Sequence, residues 1–171
     1  MSQQLSVKVA DIIYQRFLKL YGGKEPSAQQ ILDTPSELLR SIGLSNAKAS
    51  YIKNVAMFEI EKGMSMAKLN KMNNEEIINY LVPIKGVGRW TVEMLLIFAL
   101  AREDVFAIDD LGIQNAMAKI YKLDQKDKKR FRERLQKISN KWIPYRTYAC
   151  LHLWRWKDNK PVNVAKIKNK E

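Results

Sequence analysis

Helix-length segments with one apolar side follow one another along almost the whole chain. Between residues 4 and 21, apolar side chains recur every three or four positions, which is typical of a helix with one buried face. Ser45 and Asn73 are suited to begin later helices, and Gly63 to end the helix that Ser45 starts. Apart from one short extended connection at residues 105–108, no segment shows a strand pattern. The pattern therefore predicts an all-α protein of about ten short helices.

The length and charge of the chain indicate how many domains it can form and what kind of partner it attracts. With 171 residues, 46% of them hydrophobic, it is long enough to bury a core as one domain or as two small lobes. Its 30 Lys and Arg outnumber its 18 Asp and Glu, which gives a formal charge of +12. Such a field attracts polyanions, of which nucleic acid is the commonest, although a merely basic protein remains an alternative on charge alone.

The chain has a single cysteine and a single histidine, and this argues against several classes of protein. Cys150 is the only cysteine and His152 the only histidine. One cysteine cannot form an internal disulfide or supply a cysteine cluster for zinc or iron–sulfur, and residues two apart on a helix point to different faces, which disfavours a Cys-His hydrolase. No apolar run is long enough for a bilayer, and no signal peptide is evident. We therefore expect a soluble protein without a membrane partner, in the cytoplasm and associated with the nucleoid if the source is bacterial.

The stretch from Val82 to Ile113 carries the most specific pattern. Gly86 and Gly88 form a Gly-x-Gly turn between two predicted helices, and an aspartate pair follows about one helix later. Glycines can take positive φ and let backbone N–H groups approach a phosphate, but a plain turn between two helices explains them equally well when they are taken alone.

The next helix begins with Arg89, Trp90 and Thr91, which place a cation and a hydroxyl beside free N–H groups. That combination binds one phosphate of a DNA backbone without reading bases. The residues that follow, up to Ala101, are strongly apolar and predict a helix buried on nearly all sides. Either aspartate of the pair is suited to cap the helix after it.

Two runs of sequence, IKGVGRWT and DVFAIDDLGI, resemble the helix–hairpin–helix, Gly/Pro and aspartate signature of the HhH-GPD DNA glycosylase superfamily. Within it the chain is most similar to the 3-methyladenine DNA glycosylase II group. Three further stretches agree in family order: QQLSVKVA, IGLSNAKASYI and WIPYRTYACLHLW. The resemblance implies a compact two-lobed helical fold with a DNA groove between the lobes. It implies one glycosylase domain at residues 1–156 with its hairpin at 77–101, and a basic, flexible tail at 157–171.

The resemblance assigns Asp110 as the catalytic carboxylate, because the family has an aliphatic residue three positions later, here Ile113. Asp109 is then a neighbour or a cap, and the alternative is that both aspartates only cap a helix. A carboxylate near C1′ stabilises the oxocarbenium-like transition state and activates water. Family members that also cut the strand carry a lysine at the position of Trp90, so the resemblance implies a monofunctional glycosylase that leaves an abasic site for base excision repair.

An excised base must leave the stack and enter a pocket with flat walls. By the same matching, Trp90 and Trp154 line that pocket and Tyr148 lies nearby, with packing in the protein core as the alternative for each. Met94 and Leu111 stand at pocket positions where the family has aromatic residues. The resemblance therefore implies a pocket with fewer aromatic walls.

Residues assigned to DNA contact come from the hairpin, from the first motif and from two separate cations. Gln4 takes the intercalating position, with Gln3 as the second choice, and Lys85 stands where the family usually has proline. The full set is Lys85, Gly86, Val87, Gly88, Arg89, Thr91, Gln4, Gln3, Lys48 and Arg146.

No cofactor is required by this assignment. Family hairpins can hold a monovalent cation, Na⁺ or K⁺, and here the main-chain oxygens of Val82, Ile84 and Val87 would be its ligands. The partner implied is double-stranded DNA that contains alkylated bases, and a monomer suffices. The alternatives are a non-catalytic helix–hairpin–helix DNA-binding module and a glycosylase for another base lesion.

Overall fold

The structure, a computed structural model, describes the backbone of residues 7–159, and their side chains from residue 9 onward. Within this range all regular structure is helical, as the sequence predicts. Contacts along the chain divide it into two compact units, Met1–Gly88 and Arg89–Glu171. The residue ranges assigned to one glycosylase domain and a tail remain a prediction.

The described part of the first unit has two longer helices, the first and the fourth, and four short ones. In chain order they are α1 (Val7–Lys19), α2 (Ala28–Asp33), α3 (Ser36–Ser41), α4 (Asn46–Lys62), α5 (Met66–Leu69) and α6 (Asn74–Leu81). Ser45 caps α4 by accepting from the N–H of Lys48, and Asn73 caps α6 by accepting from the N–H of Glu76. Gly63 follows α4 with φ 72°, as its place in the sequence predicts. The longest helix, α4, packs against α2 and α3.

The described part of the second unit contains four α-helices and one 3₁₀ turn. They are α7 (Arg89–Phe98), α8 (Leu111–Ile120), α9 (Lys128–Ser139), a 3₁₀ turn (Asn140–Trp142) and α10 (Arg146–Asp158). Its core is formed by apolar residues from the loop before α8 and from α8, α9 and α10, with Ile113, Met117, Leu135 and Cys150 almost fully buried. Because α8 and α10 pack together, the residues at the start of α8 are positioned by α10.

Two expectations about burial are wrong. Helix α7 was expected to be buried on nearly all sides, yet Phe98 is 65% exposed and Trp90 is 45% exposed, while the buried side includes a charged residue, Glu93. Helix α1 was expected to bury its apolar face, yet Val9 and Ile12 are exposed. Hydrophobic periodicity indicates which residues share a face, but not whether another element covers that face.

Helix α10 continues to Asp158, two residues into the segment assigned to the tail, and residues 160–171 lie outside the described range. The cis bond between Ile143 and Pro144 precedes α10. Among the described helices, none is long and apolar enough to cross a membrane.

Candidate active site

The glycine turn at residues 82–88 is shaped by close packing in the first unit. Gly86 has φ 100°, a conformation that side chains other than glycine rarely adopt, and a Cβ built on it would overlap the ring of Tyr51 from α4. The Nδ2 amide of Asn54, also on α4, donates to the carbonyl of Lys85 at 2.9 Å. Gly88 does not have positive φ, and a Cβ on it would meet nothing within 4 Å. The turn therefore requires a glycine at position 86.

The exposed backbone of this turn is available to an anion. The hydrogen bonds inside it run from the N–H of Ile84 to Leu81 and from the N–H of Val87 to Ile84. Gly86 and Gly88 are exposed, and their N–H groups donate to no other residue in the described range. Two free donors that lie two residues apart in one turn suit a phosphate group.

The side chains assigned to DNA contact differ in their exposure and in their partners within the protein. Lys85 and Thr91 are exposed, and Lys48 is half-buried at the first turn of α4. The Nε of Arg89 pairs with Glu93 at 3.1 Å, one turn along α7, so its guanidinium already has an anionic partner. Gln3 and Gln4, assigned to intercalation, lie outside the described residues.

The proposed cation ligands are carbonyls of the same turn. Such hard, neutral oxygens suit Na⁺ or K⁺ chemically. The carbonyl of Ile84 already accepts the N–H of Val87 at 2.9 Å, which leaves it one lone pair. The set formed by Val82, Ile84 and Val87 stays a prediction.

In the second unit, Asp110 is the N-cap of α8 and accepts three hydrogen bonds. Its Oδ1 accepts from the N–H of Ile113 at 2.8 Å and from the indole Nε1 of Trp154 at 2.9 Å. Its Oδ2 accepts from the indole Nε1 of Trp90 at 3.0 Å. A carboxylate offers about four acceptor positions, so one on Oδ2 stays available. Asp110 thus both caps the helix and presents a fixed, half-buried carboxylate.

The adjacent carboxylate has a different environment. Asp109 does not cap the helix, and it forms an ion pair with the guanidinium of Arg132 from α9. This hydrogen bond with Asp109 raises the pKa of Arg132. Two neighbouring aspartates in the sequence are therefore distinct in the fold, and only Asp110 lies between the two tryptophans.

Sequence reasoning missed one aromatic residue, Phe98. Its ring stacks on Trp154 with centroids 5.7 Å apart and planes inclined by 25°, and it remains 65% exposed. Phe98 lies one helical turn after Met94, the position where an aromatic residue was expected to be missing. Its spacing on α7 was the only available signal in the sequence, and the structure adds an exposed aromatic ring next to a residue assigned to the pocket.

The other pocket residues fall into two groups. Met94 packs with Trp154 against the core of the second unit, and Leu111 is exposed in the first turn of α8. The Tyr148 hydroxyl instead donates to the Oε1 of Glu103 at 2.8 Å, which raises the pKa of Tyr148. The structure thus ties Tyr148 to the loop before α8 and shows no contact between it and Asp110.

The loop at residues 101–110, which carries Asp110, is held by the first turn of α10. Thr147 Oγ1 donates to the carbonyl of Arg102 at 2.6 Å and accepts from the N–H of Val105 at 3.0 Å. Arg146 binds both carboxylate oxygens of Asp104, at 2.6 and 2.9 Å, and this interaction lowers the pKa of Asp104. Arg146 is thereby engaged inside the protein, and its assignment to DNA contact stays a prediction.

Two further reactive groups lie too deep for a substrate. Glu93 is 2% exposed. Cys150 is fully buried, its thiol faces the carbonyl of Val105, and burial raises its pKa to about 11. Neither group is accessible to a base or a sugar. Asp110 is therefore the accessible reactive side chain beside the two tryptophans.

Known proteins resemble this chain over most of its length. Residues 1–141 match the family described as HhH-GPD superfamily base excision DNA repair protein. The chain is 39% identical over 157 residues to DNA-3-methyladenine glycosylase 1 of Schizosaccharomyces pombe, and the match covers 90% of this chain and 67% of that protein. It is 33% identical over 159 residues to the putative DNA-3-methyladenine glycosylase YfjP of Bacillus subtilis, covering 90% of this chain but 54% of that protein.

Solved structures agree with these matches. A 3-methyladenine DNA glycosylase of Schizosaccharomyces pombe, in complex with abasic DNA, superimposes with a TM-score of 0.80 at 37% identity, covering 90% of this chain and 74% of that one. A DNA-3-methyladenine glycosidase from Bacillus halodurans gives a TM-score of 0.78 at 34% identity, covering 92% and 71%. Regions of these relatives extend beyond what this chain matches.

Proposed function

Because the chain belongs to the HhH-GPD superfamily of base excision DNA repair proteins, we propose that it is a monofunctional DNA glycosylase that excises alkylated purines of the 3-methyladenine type. The observation that carries the proposal is the carboxylate of Asp110, fixed by three N–H donors between two tryptophans. The product is an abasic site in double-stranded DNA. One chain suffices for this chemistry.

Asp110 performs the chemical step. Cleavage of the N-glycosidic bond develops positive charge on the deoxyribose, and a carboxylate near C1′ stabilises it. The donors fix the orientation of the carboxylate before substrate arrives, so little reorganisation is needed during the reaction. The unoccupied acceptor position on Oδ2 is suited to orient or deprotonate the attacking water.

The leaving base explains why one carboxylate is enough. An alkylated purine of this type is already cationic, so it departs without a general acid. The nearest candidate for such an acid on α7, Glu93, is buried and out of reach. Cationic bases favour electron-rich ring faces, and the stacked pair of Phe98 and Trp154 offers one beside Asp110.

The proposal excludes cleavage of the DNA strand. Strand cleavage by a glycosylase needs an amine that forms a Schiff base with the sugar. Trp90 stands where bifunctional relatives carry that lysine, and its indole N–H is bonded to Asp110. A bifunctional enzyme would be trapped on damaged DNA by borohydride, and we expect no such adduct.

The decisive test compares two neighbouring aspartates. In Asp110→Asn, release of methylated bases should fall by about a hundredfold or more, because an amide does not stabilise positive charge as a carboxylate does. Binding to DNA with a non-cleavable abasic analogue should be retained, since the substitution removes a negative charge. Bases released from methylated DNA are identified by chromatography, and binding is measured by fluorescence anisotropy.

Asp109→Asn is the matched control, with the same change one residue away at a carboxylate paired with Arg132. We expect it to keep most of the activity. If Asp110→Asn releases bases as fast as the unchanged protein, Asp110 is not the catalytic group. If the unchanged protein binds DNA and releases no base, the alternative of a non-catalytic DNA-binding module replaces this proposal.

A further inference from the structure

A lysine outside every assigned motif lies beside the catalytic carboxylate. The position that a Cβ on Gly112 would occupy is 3.0 Å from Oδ1 of Asp110 and 3.3 Å from both Nζ of Lys157 and Cδ1 of Trp154. The Lys157 ammonium and the Asp110 carboxylate are therefore close neighbours, well inside the distance over which salt screens charges. Sequence reasoning placed Lys157 in the tail, whereas it belongs to the last turn of α10.

Asp110 does not need this lysine to hold it in place. Three N–H groups already bind the carboxylate, and the structure records no ion pair or hydrogen bond from Lys157 to any described residue. Lys157 is exposed. An exposed ammonium that the fold brings to a reactive site, and that has no internal partner there, is available to the substrate.

The substrate offers phosphate anions at this place. The sugar that Asp110 faces is bonded to a phosphate on each side, and these phosphates are repelled by the carboxylate as the nucleotide enters. An ammonium beside the carboxylate offsets that repulsion and neutralises one phosphate. Gly112 makes room for the arrangement, because a side chain there would crowd Asp110, Trp154 and Lys157 together.

We propose that Lys157 binds a phosphate of the nucleotide whose base is excised, and so positions the deoxyribose against Asp110. This inference rests on the proposed function, since it assumes that Asp110 acts on the sugar of a nucleotide. Lys157 is a positioning residue in this scheme and does not touch the breaking bond. A Schiff base is the competing role for an amine at this site, but proteins prepare such lysines by burial or with a second cation, and Lys157 is exposed beside a carboxylate.

The experiment measures affinity for DNA with a tetrahydrofuran abasic analogue over a range of salt concentrations. In Lys157→Gln the dissociation constant should rise by about threefold to tenfold, and the slope of log affinity against log salt should become shallower by about 0.9. Lys157→Arg should keep both values. Lys119→Gln, which removes an exposed lysine from the far end of α8, should change neither.

Neutral methylphosphonates then locate the contact. Replacing the phosphate on either side of the abasic analogue, one at a time, should weaken binding of the unchanged protein at one of the two positions and leave Lys157→Gln unaffected there. An unchanged salt slope in Lys157→Gln, or equal losses with methylphosphonate DNA in both proteins, would overturn the inference. A borohydride adduct that disappears in Lys157→Gln would also overturn it, in favour of a nucleophilic amine.

These readouts separate the inference from the proposed function. Binding to a non-cleavable analogue is independent of base excision, so a protein that excises nothing can still show the phosphate contact. At saturating enzyme, single-turnover excision is no longer sensitive to weaker binding and reports only how the sugar is positioned, so it should fall by about threefold to tenfold in Lys157→Gln. A much larger fall with unchanged affinity would mean that Lys157 acts on Asp110 and not on a phosphate.

Discussion

The two irregular segments that carry functional groups, the turn at residues 82–88 and the loop at residues 101–110, are held in different ways. The turn is fixed mainly by backbone conformation: a positive φ at Gly86, the ring of Tyr51 against it and one amide bond from Asn54. The loop is fixed by side chains of α10, which bind it through a hydroxyl, a guanidinium and a phenol.

The difference follows from what each segment presents. The turn offers backbone N–H groups to a phosphate, so its own side chains can vary as long as the chain can bend there. The loop presents one carboxylate that must lie at a defined distance from a sugar carbon, where displacement of about 1 Å lowers the rate substantially. Each mode of support therefore predicts a different sensitivity to substitution.

The largest effect is expected for Gly86→Ala. The added Cβ overlaps the Tyr51 ring, and a φ of 100° is unfavourable for alanine, so the free energy of unfolding should fall by about 2–5 kcal/mol. Urea denaturation measures the loss, and DNA binding should fall with it because the N–H groups of the turn move.

Gly88→Ala is the control for that prediction. A Cβ at residue 88 meets nothing within 4 Å and the backbone there has no positive φ, so stability should change by less than about 1 kcal/mol. Equal destabilisation by the two substitutions would contradict the view that the turn depends on one glycine.

A smaller effect, on catalysis more than on binding, is expected for Thr147→Val in the loop support. Valine keeps the shape but leaves the N–H of Val105 and the carbonyl of Arg102 without the hydroxyl, at a site where Thr147 is 5% exposed. Loss of these bonds should cost about 1–3 kcal/mol of stability.

Because the loop carries Asp110, single-turnover excision should also fall by about tenfold, while affinity for abasic-analogue DNA changes little. Thr147→Ser, which retains the hydroxyl, should behave almost as the unchanged protein does. A parallel loss of binding and excision in Thr147→Val would show that this loop supports the DNA contact as well as the carboxylate.

The same contrast explains what the sequence can predict. Helix boundaries depend on local signals, so the caps at Ser45 and Asn73 and the stop at Gly63 follow from residue type. The assignment of Asp110 came from the resemblance, by matching a short family motif, and the structure places that residue between the two tryptophans assigned to the pocket. Local spacing was informative wherever a feature is made within one or two helical turns.

Features that join distant parts of the chain were not predictable in this way. Thr147 and Val105 are separated by 42 residues, and Asp110 and Trp154 by 44. The exposure of Phe98 and the burial of Glu93 depend on which side of α7 is covered, which periodicity alone does not determine. The direction of an indole N–H is a further example, because sequence assigned Trp90 and Trp154 as walls of a pocket and did not indicate that both bind the carboxylate.

The smallest effect concerns acid. Arg146 lowers the pKa of Asp104 below its ordinary value of 3.8, chiefly by donating hydrogen bonds to the carboxylate. The folded protein therefore keeps Asp104 ionised more readily than the unfolded chain does, and this stabilisation is complete above the ordinary pKa and is lost as the pH falls through the lower folded value. For a pair that is partly exposed, the contribution is about 1 kcal/mol or less.

Since the described contacts of the turn at 82–88 involve no carboxylate, acid should loosen the loop before the turn. Hydrogen exchange of the two segments at neutral pH and below the ordinary pKa measures this, and Asp104→Asn should abolish the pH dependence of exchange in the loop. Equal acid sensitivity of both segments would mean that the ion pair does not distinguish their stabilities.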